Sequence, residues 1–218
     1  MEEYEQKKYH SFNEFFTRKI IPEARHIEDK PECFISPCDS RLSVYRISEK
    51  SAFSVKHTKY TANSLLKNRK LAKKYAGGYI WIFRLCVDDY HRYIYVDNGK
   101  VSNSVKLSGV FHTVNPIAND KFPIYKENTR EYCLLRSENF KTVLQMEVGA
   151  LLVGKIENIP VNGEVIRGQE KGNFVYGGST VILMTQKGAV RPDKDIMKNT
   201  MRGIETKVKM GERIGVKG

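Results

Sequence analysis

The stretch Gly78-Tyr-Ile-Trp-Ile-Phe-Arg-Leu-Cys-Val87 is rich in β-branched and aromatic residues, and two aspartates follow it. An apolar run bounded by turn-forming residues is typical of a buried strand. Similar runs occur at 93–96, 131–135, 142–153, 163–166 and 180–184. Residues 204–215 alternate polar and apolar side chains around a glycine, which predicts a hairpin. From residue 77 onward, the sequence therefore predicts a β-rich domain.

Two segments before this region have helical patterns. In 11–18, Ser11 and Glu14 have the spacing of a capping box, and Phe12, Phe15 and Phe16 fall on one helical face. In 61–76, Thr61 is a candidate N-cap and Gly77 a stop, with apolar residues at helical spacing between them. The fold class predicted is α+β, β-rich, with N-terminal amphipathic helices.

The length and composition are those of one globular domain spanning 1–218. The chain has 37 Lys+Arg and 25 Asp+Glu, a net charge of +12, and 40% hydrophobic residues. It is too apolar for a disordered chain, and its apolar runs are too short for a membrane-spanning helix. The charged start lacks the apolar core of a secretory signal, so we expect a cytoplasmic protein without a transmembrane segment.

The excess of basic residues is concentrated between Glu49 and Asp88, where no acidic residue occurs. The 61–76 segment within it predicts a basic amphipathic helix. A solvated face on a core-packed helix and peripheral docking on an anionic membrane both fit this pattern. We expect no nucleic-acid partner, because no motif of such proteins accompanies the charge. The four cysteines form no C-x-x-C pair, so neither a disulfide nor a metal site is expected.

Reactive side chains are concentrated in four segments. These are Ser36-Pro-Cys-Asp-Ser40, Asp88-Asp-Tyr-His-Arg92, Phe111-His-Thr-Val-Asn-Pro116 and Gly168-Gln-Glu-Lys-Gly-Asn-Phe-Val-Tyr-Gly-Gly-Ser-Thr180. Taken singly, Asp39 fits an Asx turn, His91 a structural histidine and Gly177-Gly178 a hairpin turn. Taken together, Asp39, His91 and Ser179 have the residue types of an activated hydroxyl nucleophile.

Over nearly its whole length, the chain resembles the phosphatidylserine decarboxylase family. The resemblance rests on seven motifs in the family's order: Phe12-Asn-Glu-Phe-Phe-Thr-Arg18, Ser36-Pro-Cys-Asp39, Asp89-Tyr-His-Arg92, Thr113-Val-Asn-Pro116, Glu127-Asn-Thr-Arg130, Val148-Gly-Ala150 through Val153-Gly-Lys-Ile156, and Gly168-Gln-Glu-Lys-Gly172 through Gly178-Ser-Thr180.

The resemblance implies a proenzyme that cuts itself between Gly178 and Ser179. The products would be 1–178 (β chain) and 179–218 (α chain), which stay together as a heterodimer, and a further homo-oligomer is compatible with the sequence. Ser179 would become a pyruvoyl group that forms a Schiff base with phosphatidylserine and releases CO2, giving phosphatidylethanolamine. The implied β core is similar to lipoyl and biotinyl carrier or glucose-permease domains, and the implied location is the cytoplasmic face of the membrane.

The chain departs from the family pattern at Gly177, Ser40 and Ile94. Ile94 replaces a second histidine that the family usually assigns to self-cleavage. Two bases remain: His91, which keeps the family's Asp-Tyr-His-Arg context and is favoured, and His112, an alternative base that with Asn115 is also a candidate for substrate contact. Slow or absent processing is a third reading.

Two other functions also fit parts of the sequence. One is a pyruvoyl decarboxylase of a soluble amino acid, because no residue pattern identifies a diacylglycerol pocket. The other is a non-catalytic lipoyl-like carrier, because 205–210 resembles a carrier hairpin with a modifiable lysine. The carrier reading leaves the family motifs unexplained.

Overall fold

The structure is a computed structural model that describes residues 2–5, 7–48, 52–55, 58–108, 129–149, 155–175 and 179–218, with backbone alone at 53–55 and 58–60. Its helices are α1 (Phe12–Phe16), α2 (Ala62–Leu66), α3 (Arg69–Lys74) and α4 (Lys194–Met201). Its strands are β1 (Cys33–Ile35), β2 (Ser40–Arg46), β3 (Phe53–Val55), β4 (Thr58–Tyr60), β5 (Tyr79–Leu85), β6 (Arg92–Ile94), β7 (Gly99–Val101), β8 (Val105–Leu107), β9 (Arg130–Ser137), β10 (Thr142–Val148), β11 (Lys155–Asn158), β12 (Glu164–Val165), β13 (Glu170–Val175), β14 (Ser179–Thr185), β15 (Val190–Pro192), β16 (Thr206–Val208) and β17 (Arg213–Lys217).

The main sheet has the strand order β12-β7-β9-β10-β14-β5-β2-β16, and β8 also pairs with β9. Smaller sheets have the orders β11-β13-β6, β1-β17-β15 and β3-β4. Neighbouring strands in the main sheet are antiparallel throughout the described pairs. The predicted β-rich α+β class is confirmed.

Both faces of the main sheet are buried, and β14 shows how its residues divide between them. Ile182 and Met184 belong to the apolar cluster that includes Leu65 of α2. Val181 and Leu183 belong to the other cluster, with Phe174 of β13. We call the face that bears Val181 and Leu183 the inner face. The second layer of the fold, the sheet β11-β13-β6, packs against it.

The predicted helix over 61–76 is broken into α2 and α3. Lys67 adopts a left-handed conformation with φ 46°, and the Asn68 side chain accepts a hydrogen bond from Leu71 N at the start of α3. Thr61 is the predicted N-cap and makes a capping box with Ser64. The prediction of a single long helix was therefore wrong, because a second N-cap lies in the middle of the segment. No helix in the described parts of the chain is long and apolar enough to cross a membrane.

The predicted hairpin over 204–215 was also wrong. Both strands form, and Gly211 makes the turn with φ 83°. However, β16 pairs with β2 of the main sheet, whereas β17 pairs with β1 and β15. Alternation predicts a strand but not its partner, and here the turn carries the chain from one sheet to another.

Candidate active site

Three of the predicted site residues lie in segments that the fold brings to one end of the main sheet. Ser179 begins β14 and pairs with Leu85, the last residue of β5. The turn that follows Leu85 leads to His91, immediately before β6. Asp39 immediately precedes β2, where Arg41 pairs with Arg84 of β5. The strand register thus brings together segments that are far apart in the sequence.

The other predicted site residues fall outside the described parts of the chain. Gly178 lies in 176–178, and His112 and Asn115 lie in 109–128. Their roles stay predictions.

Ser179 is buried, with 4% of its surface exposed. Its place in the alternation of β14, two residues before Val181, puts it on the inner face. The strands on both sides of β14 fix its backbone, because β10 and β5 both pair with it. The residue at 179 is therefore held in the interior, on the face covered by the layer that contains β6.

His91 is nearly completely buried, and its contacts define its tautomer. Nδ1 lies 2.8 Å from the backbone oxygen of Asp89, which can only accept a hydrogen bond. Nδ1 therefore carries the proton, and the lone pair is on Nε2. Among the described residues, Nε2 has no hydrogen-bond partner. Phe16 of α1 packs on the imidazole, with ring centroids 4.1 Å apart. The arrangement leaves a buried lone pair available as a base.

Burial lowers the pKa of His91 to about 4, although the hydrogen bond to Asp89 acts in the opposite direction. A solvent-exposed histidine titrates near 6.5. The imidazole of the folded protein is therefore in its basic form at neutral pH, with no need for a proton to leave it first.

This lowered pKa predicts a pH dependence of stability. Between about pH 6.5 and 4, the unfolded chain takes up a proton on His91 and the folded chain does not, so acid favours unfolding. We expect a loss of up to about 3 kcal/mol from this group. Urea unfolding across this pH range measures the loss. The parent is Ser179→Ala, which we expect to stay one chain, and it is compared with the double variant Ser179→Ala/His91→Phe. The double variant should lose less stability over this range.

The exposed His26 provides the control for this measurement. His26→Gln in the same background should keep the full acid-induced loss. Equal losses in the His91→Phe and parent proteins would show that His91 does not titrate as its burial predicts.

Asp39 is held by partners other than His91. Arg25, which is itself buried, donates from Nε to Oδ1 at 2.9 Å, and the backbone N–H of Met210 donates to Oδ1 at 2.8 Å. The Asp89 carbonyl occupies the position at His91 Nδ1 that an orienting carboxylate holds in a Ser-His-Asp triad. Through Met210, Asp39 links residues 1–178 to residues 179–218.

Buried polar atoms without a partner gather around this end of the sheet. Within the described residues they are Arg18 Nε, Ser40 Oγ, His91 Nε2, Arg92 Nε and Glu147 Oε1. Buried polar groups in folded proteins are normally hydrogen-bonded. Ser40 adjoins Asp39, Arg92 adjoins His91, and Glu147 pairs across the strands with Val181, two residues from Ser179. The cluster has the character of a site that takes a polar ligand.

Glu147 and Lys171 lie in the same region, although no sequence motif marks them as site residues. They form a buried ion pair, with Lys171 Nζ 2.7 Å from Glu147 Oε2. In β10, apolar Leu144 and Met146 alternate with polar Gln145 and Glu147. This alternation predicts that Gln145 and Glu147 face solvent. Lys171 lies in a motif shared with the family and Glu147 immediately precedes another, but neither position indicates that the two side chains meet.

Comparisons with known proteins show the family of the chain. Residues 12–216 match the family model described as phosphatidylserine decarboxylase. The chain is 46% identical over 215 residues to phosphatidylserine decarboxylase proenzyme 2 of Clostridium acetobutylicum, covering 99% of this chain and 74% of the relative. It is 42% identical over 220 residues to a phosphatidylserine decarboxylase proenzyme of Clostridium botulinum, covering 100% of this chain and 75% of the relative.

A third relative, the phosphatidylserine decarboxylase proenzyme of Clostridium novyi, is 45% identical over 212 residues, which cover 96% of this chain and 72% of the relative. The matches include all four segments in which the reactive side chains are concentrated. The chain belongs to the phosphatidylserine decarboxylase family.

Proposed function

We propose that this chain is a phosphatidylserine decarboxylase that makes its own reactive group by cutting itself at Gly178-Ser179. The observation that carries the proposal is the unpartnered, buried Nε2 of a neutral His91 at the sheet end where Ser179 begins β14. It gives the serine hydroxyl a base in a dry environment. Family membership supports the substrate, and the curated relatives are named as proenzymes.

In the proposed cleavage, the Ser179 hydroxyl attacks the carbonyl carbon of Gly178 while His91 Nε2 accepts its proton. The peptide bond becomes an ester, and elimination across the Cα–Cβ bond of residue 179 releases a chain that ends at Gly178. The residue left at 179 takes up water, loses ammonia and becomes a pyruvoyl group. Asp39 acts as a positioning residue through Arg25 and the Met210 amide.

The residues present fit such a group. Position 179 is buried on the inner face, and unpartnered polar atoms of Ser40 and His91 lie near it at the same end of the sheet. The pyruvoyl carbonyl supplies an electron sink for the loss of CO2 that no ordinary side chain provides. This chain's own part is to exclude water, to orient the substrate and to move protons.

The fold also explains how the two pieces would stay together as one catalytic domain over 1–218. β14 lies between β10 and β5 in the interior of the main sheet. Trp81 Nε1 donates to Thr185 Oγ1 at 3.1 Å, and Arg84 forms an ion pair with Glu205. Because β16 and β17 also pair with strands of the first piece, release of 179–218 would break four strand pairings in the main sheet and its neighbour.

We further propose that the β core is related to lipoyl and biotinyl carrier or glucose-permease domains, as the sequence resemblance implies. The carrier function itself is disfavoured, because 205–210 does not form the hairpin that a carrier lysine requires. Superposition on solved carrier and permease domains tests the kinship.

For the membrane, we propose peripheral docking through the exposed basic side chains of α3 and through Lys67, which follows α2. Leu65, Leu66 and Ala72 are buried against the main sheet, so these helices have no free apolar face to insert. The Arg130 side chain donates from Nε to Leu65 O at 2.8 Å. In the sheet, Arg130 pairs with Val148, which in turn pairs with Thr180. The end of α2 therefore lies near the Ser179 end of the sheet. Attraction to anionic lipid would be electrostatic.

Charge reversal at Lys67, Lys70, Lys73 and Lys74 should therefore weaken binding to anionic vesicles at least tenfold. Each basic residue near such a surface contributes about 1 kcal/mol, and salt screens the attraction over about 8 Å. Vesicle sedimentation at several salt concentrations measures the binding. Reversal of four exposed lysines elsewhere, Lys30, Lys194, Lys198 and Lys207, is the control of equal charge. Binding that is indifferent to salt, or equally weakened by the control, would contradict this docking surface.

Two measurements on the purified protein test the function. Intact mass under denaturing conditions should show two chains, the smaller starting at a blocked residue 179. Release of CO2 should occur with phosphatidylserine in vesicles. Decarboxylation of free serine without the lipid would favour the soluble amino acid reading, and a single uncut chain without either activity would refute the proposal.

A further inference from the structure

The Glu147–Lys171 pair is the most deeply buried ion pair in the described parts of the chain. The Lys171 side chain is 2% exposed, and the Glu147 side chain is 0% exposed. A bulge in β13 aims Lys171 inward: Glu170 pairs with Ile94 and Gly172 pairs with Tyr93, so Lys171 is the extra residue between them. Bulges often redirect a side chain beside an active site.

Stability does not explain such a pair. Removing two charges from water costs several kcal/mol, and a buried pair is often no better than apolar residues of the same volume. The site is also incompletely satisfied: Asn158 Oδ1 accepts from Lys171 Nζ at 3.1 Å, but Glu147 Oε1 has no partner among the described residues. Charged groups buried in this way are candidates for function.

The pair faces the residue that would carry the reactive group. Glu147 pairs with Val181 on the inner face, and Ser179 is two residues along β14 on that face. Diagonal neighbours of this kind are about 7–8 Å apart. Lys171 reaches Glu147 from the opposite layer, so its ammonium lies in the space between the two sheets.

A cavity connects Lys171 to the surface. It has a volume of about 330 Å³, and Lys171, Glu131, Asn158 and the loop 102–104 line it. Ser102, Asn103 and Ser104 are exposed. Such a polar cavity is large enough for several water molecules. Burial alone would lower the pKa of Lys171, but the Glu147 carboxylate and other neighbouring groups act in the opposite direction, and together they raise the pKa above its ordinary value. The amine therefore stays protonated.

We propose that Lys171 supplies the proton that the substrate carbon takes up when CO2 leaves, with Glu147 holding the ammonium in place. The departing CO2 leaves its bonding electron pair on that carbon, the Lys171 N–H bond breaks, and a C–H bond forms. Water in the cavity then returns a proton to the amine. The inference rests on the proposed function and assigns this step to a residue other than His91.

The double variant Lys171→Met/Glu147→Gln tests this without leaving one buried charge unpaired. We expect it to fold and to cleave itself normally, because Ser179 and His91 are unchanged. Turnover of phosphatidylserine should fall by about 100-fold or more, as expected on loss of a general acid. In D2O, the unaltered enzyme should place one deuteron on one face of the product carbon, and the variant should label both faces.

The control is Lys155→Met/Glu157→Gln, which removes an exposed ion pair with Nζ 2.9 Å from Oε1 on the neighbouring strand β11. It should keep both turnover and one-sided labelling. Normal turnover or one-sided labelling in the cleaved Lys171 variant would overturn the inference and leave the decarboxylase function intact. Failure of the unaltered protein to cleave or to decarboxylate would instead count against the proposed function.

Discussion

Replacement of Ser179 by alanine should leave one chain of 218 residues with no decarboxylase activity. The alanine has no hydroxyl to attack the Gly178 carbonyl, so neither the ester nor the reactive group can form. The effect on turnover should be complete rather than graded, because both steps depend on the same oxygen atom. The fold should survive, since residue 179 keeps its backbone pairing with Leu85 whatever its side chain.

Intact mass and circular dichroism measure the two parts of this result, and Thr180→Ala is the matched control. Thr180 is the next hydroxyl in the chain and falls on the other face of β14. Its loss should leave cleavage unchanged. If Ser179→Ala still yielded two chains, the cut would lie elsewhere and the assignment of residue 179 would be wrong.

Local sequence signals predicted elements well where each signal acts within a few residues. Ser11 caps α1 by accepting from Glu14 N, and Thr61 caps α2, both at the predicted positions. The strand over 180–184 extends by one residue at each end in the structure. These outcomes follow from hydrogen bonds and alternation that are set by neighbours in the chain.

Long-range pairing could not be predicted in this way. The two strands of 204–215 pair with β2 and β1 rather than with each other. Glu147 has the alternation of a solvent-facing residue, yet it is completely buried because a second layer covers the inner face. The sequence therefore predicted which residues form strands, but not that a charged pair lies between two sheets.

The candidate site shows the same difference between what local sequence signals predict and what long-range contacts decide. Resemblance to the family supported Asp39, His91 and Ser179. The strand register places Ser179 and the segment after Asp39 at one end of the main sheet, and the turn after Leu85 leads from there to His91. The imidazole is oriented by a backbone carbonyl, which no residue type reveals, and Asp39 is engaged by Arg25. Contacts that depend on the main chain or on a distant partner require the fold.

Replacement of His91 by alanine should stop self-cleavage as well as turnover. The Ser179 hydroxyl is a weak nucleophile unless a neighbour accepts its proton, and loss of a general base slows such a step by about 100- to 10,000-fold. His91→Phe, which keeps a ring to pack on Phe16 but has no nitrogen, should show the same block and excludes a simple packing defect. The cleaved fraction over time, measured beside lipid turnover, gives both rates.

His112→Ala is the decisive comparison, because the absence of the family's second histidine at Ile94 leaves His91 and His112 as the two candidate bases. With His91 as the base, His112→Ala should cleave normally, with any defect confined to turnover. Added imidazole should partly restore cleavage to His91→Ala, which a structural role would not predict. Normal cleavage of His91→Ala with a block in His112→Ala would reverse the assignment. Normal cleavage in both would mean that the permissive glycines before Ser179, or another base, carry the reaction.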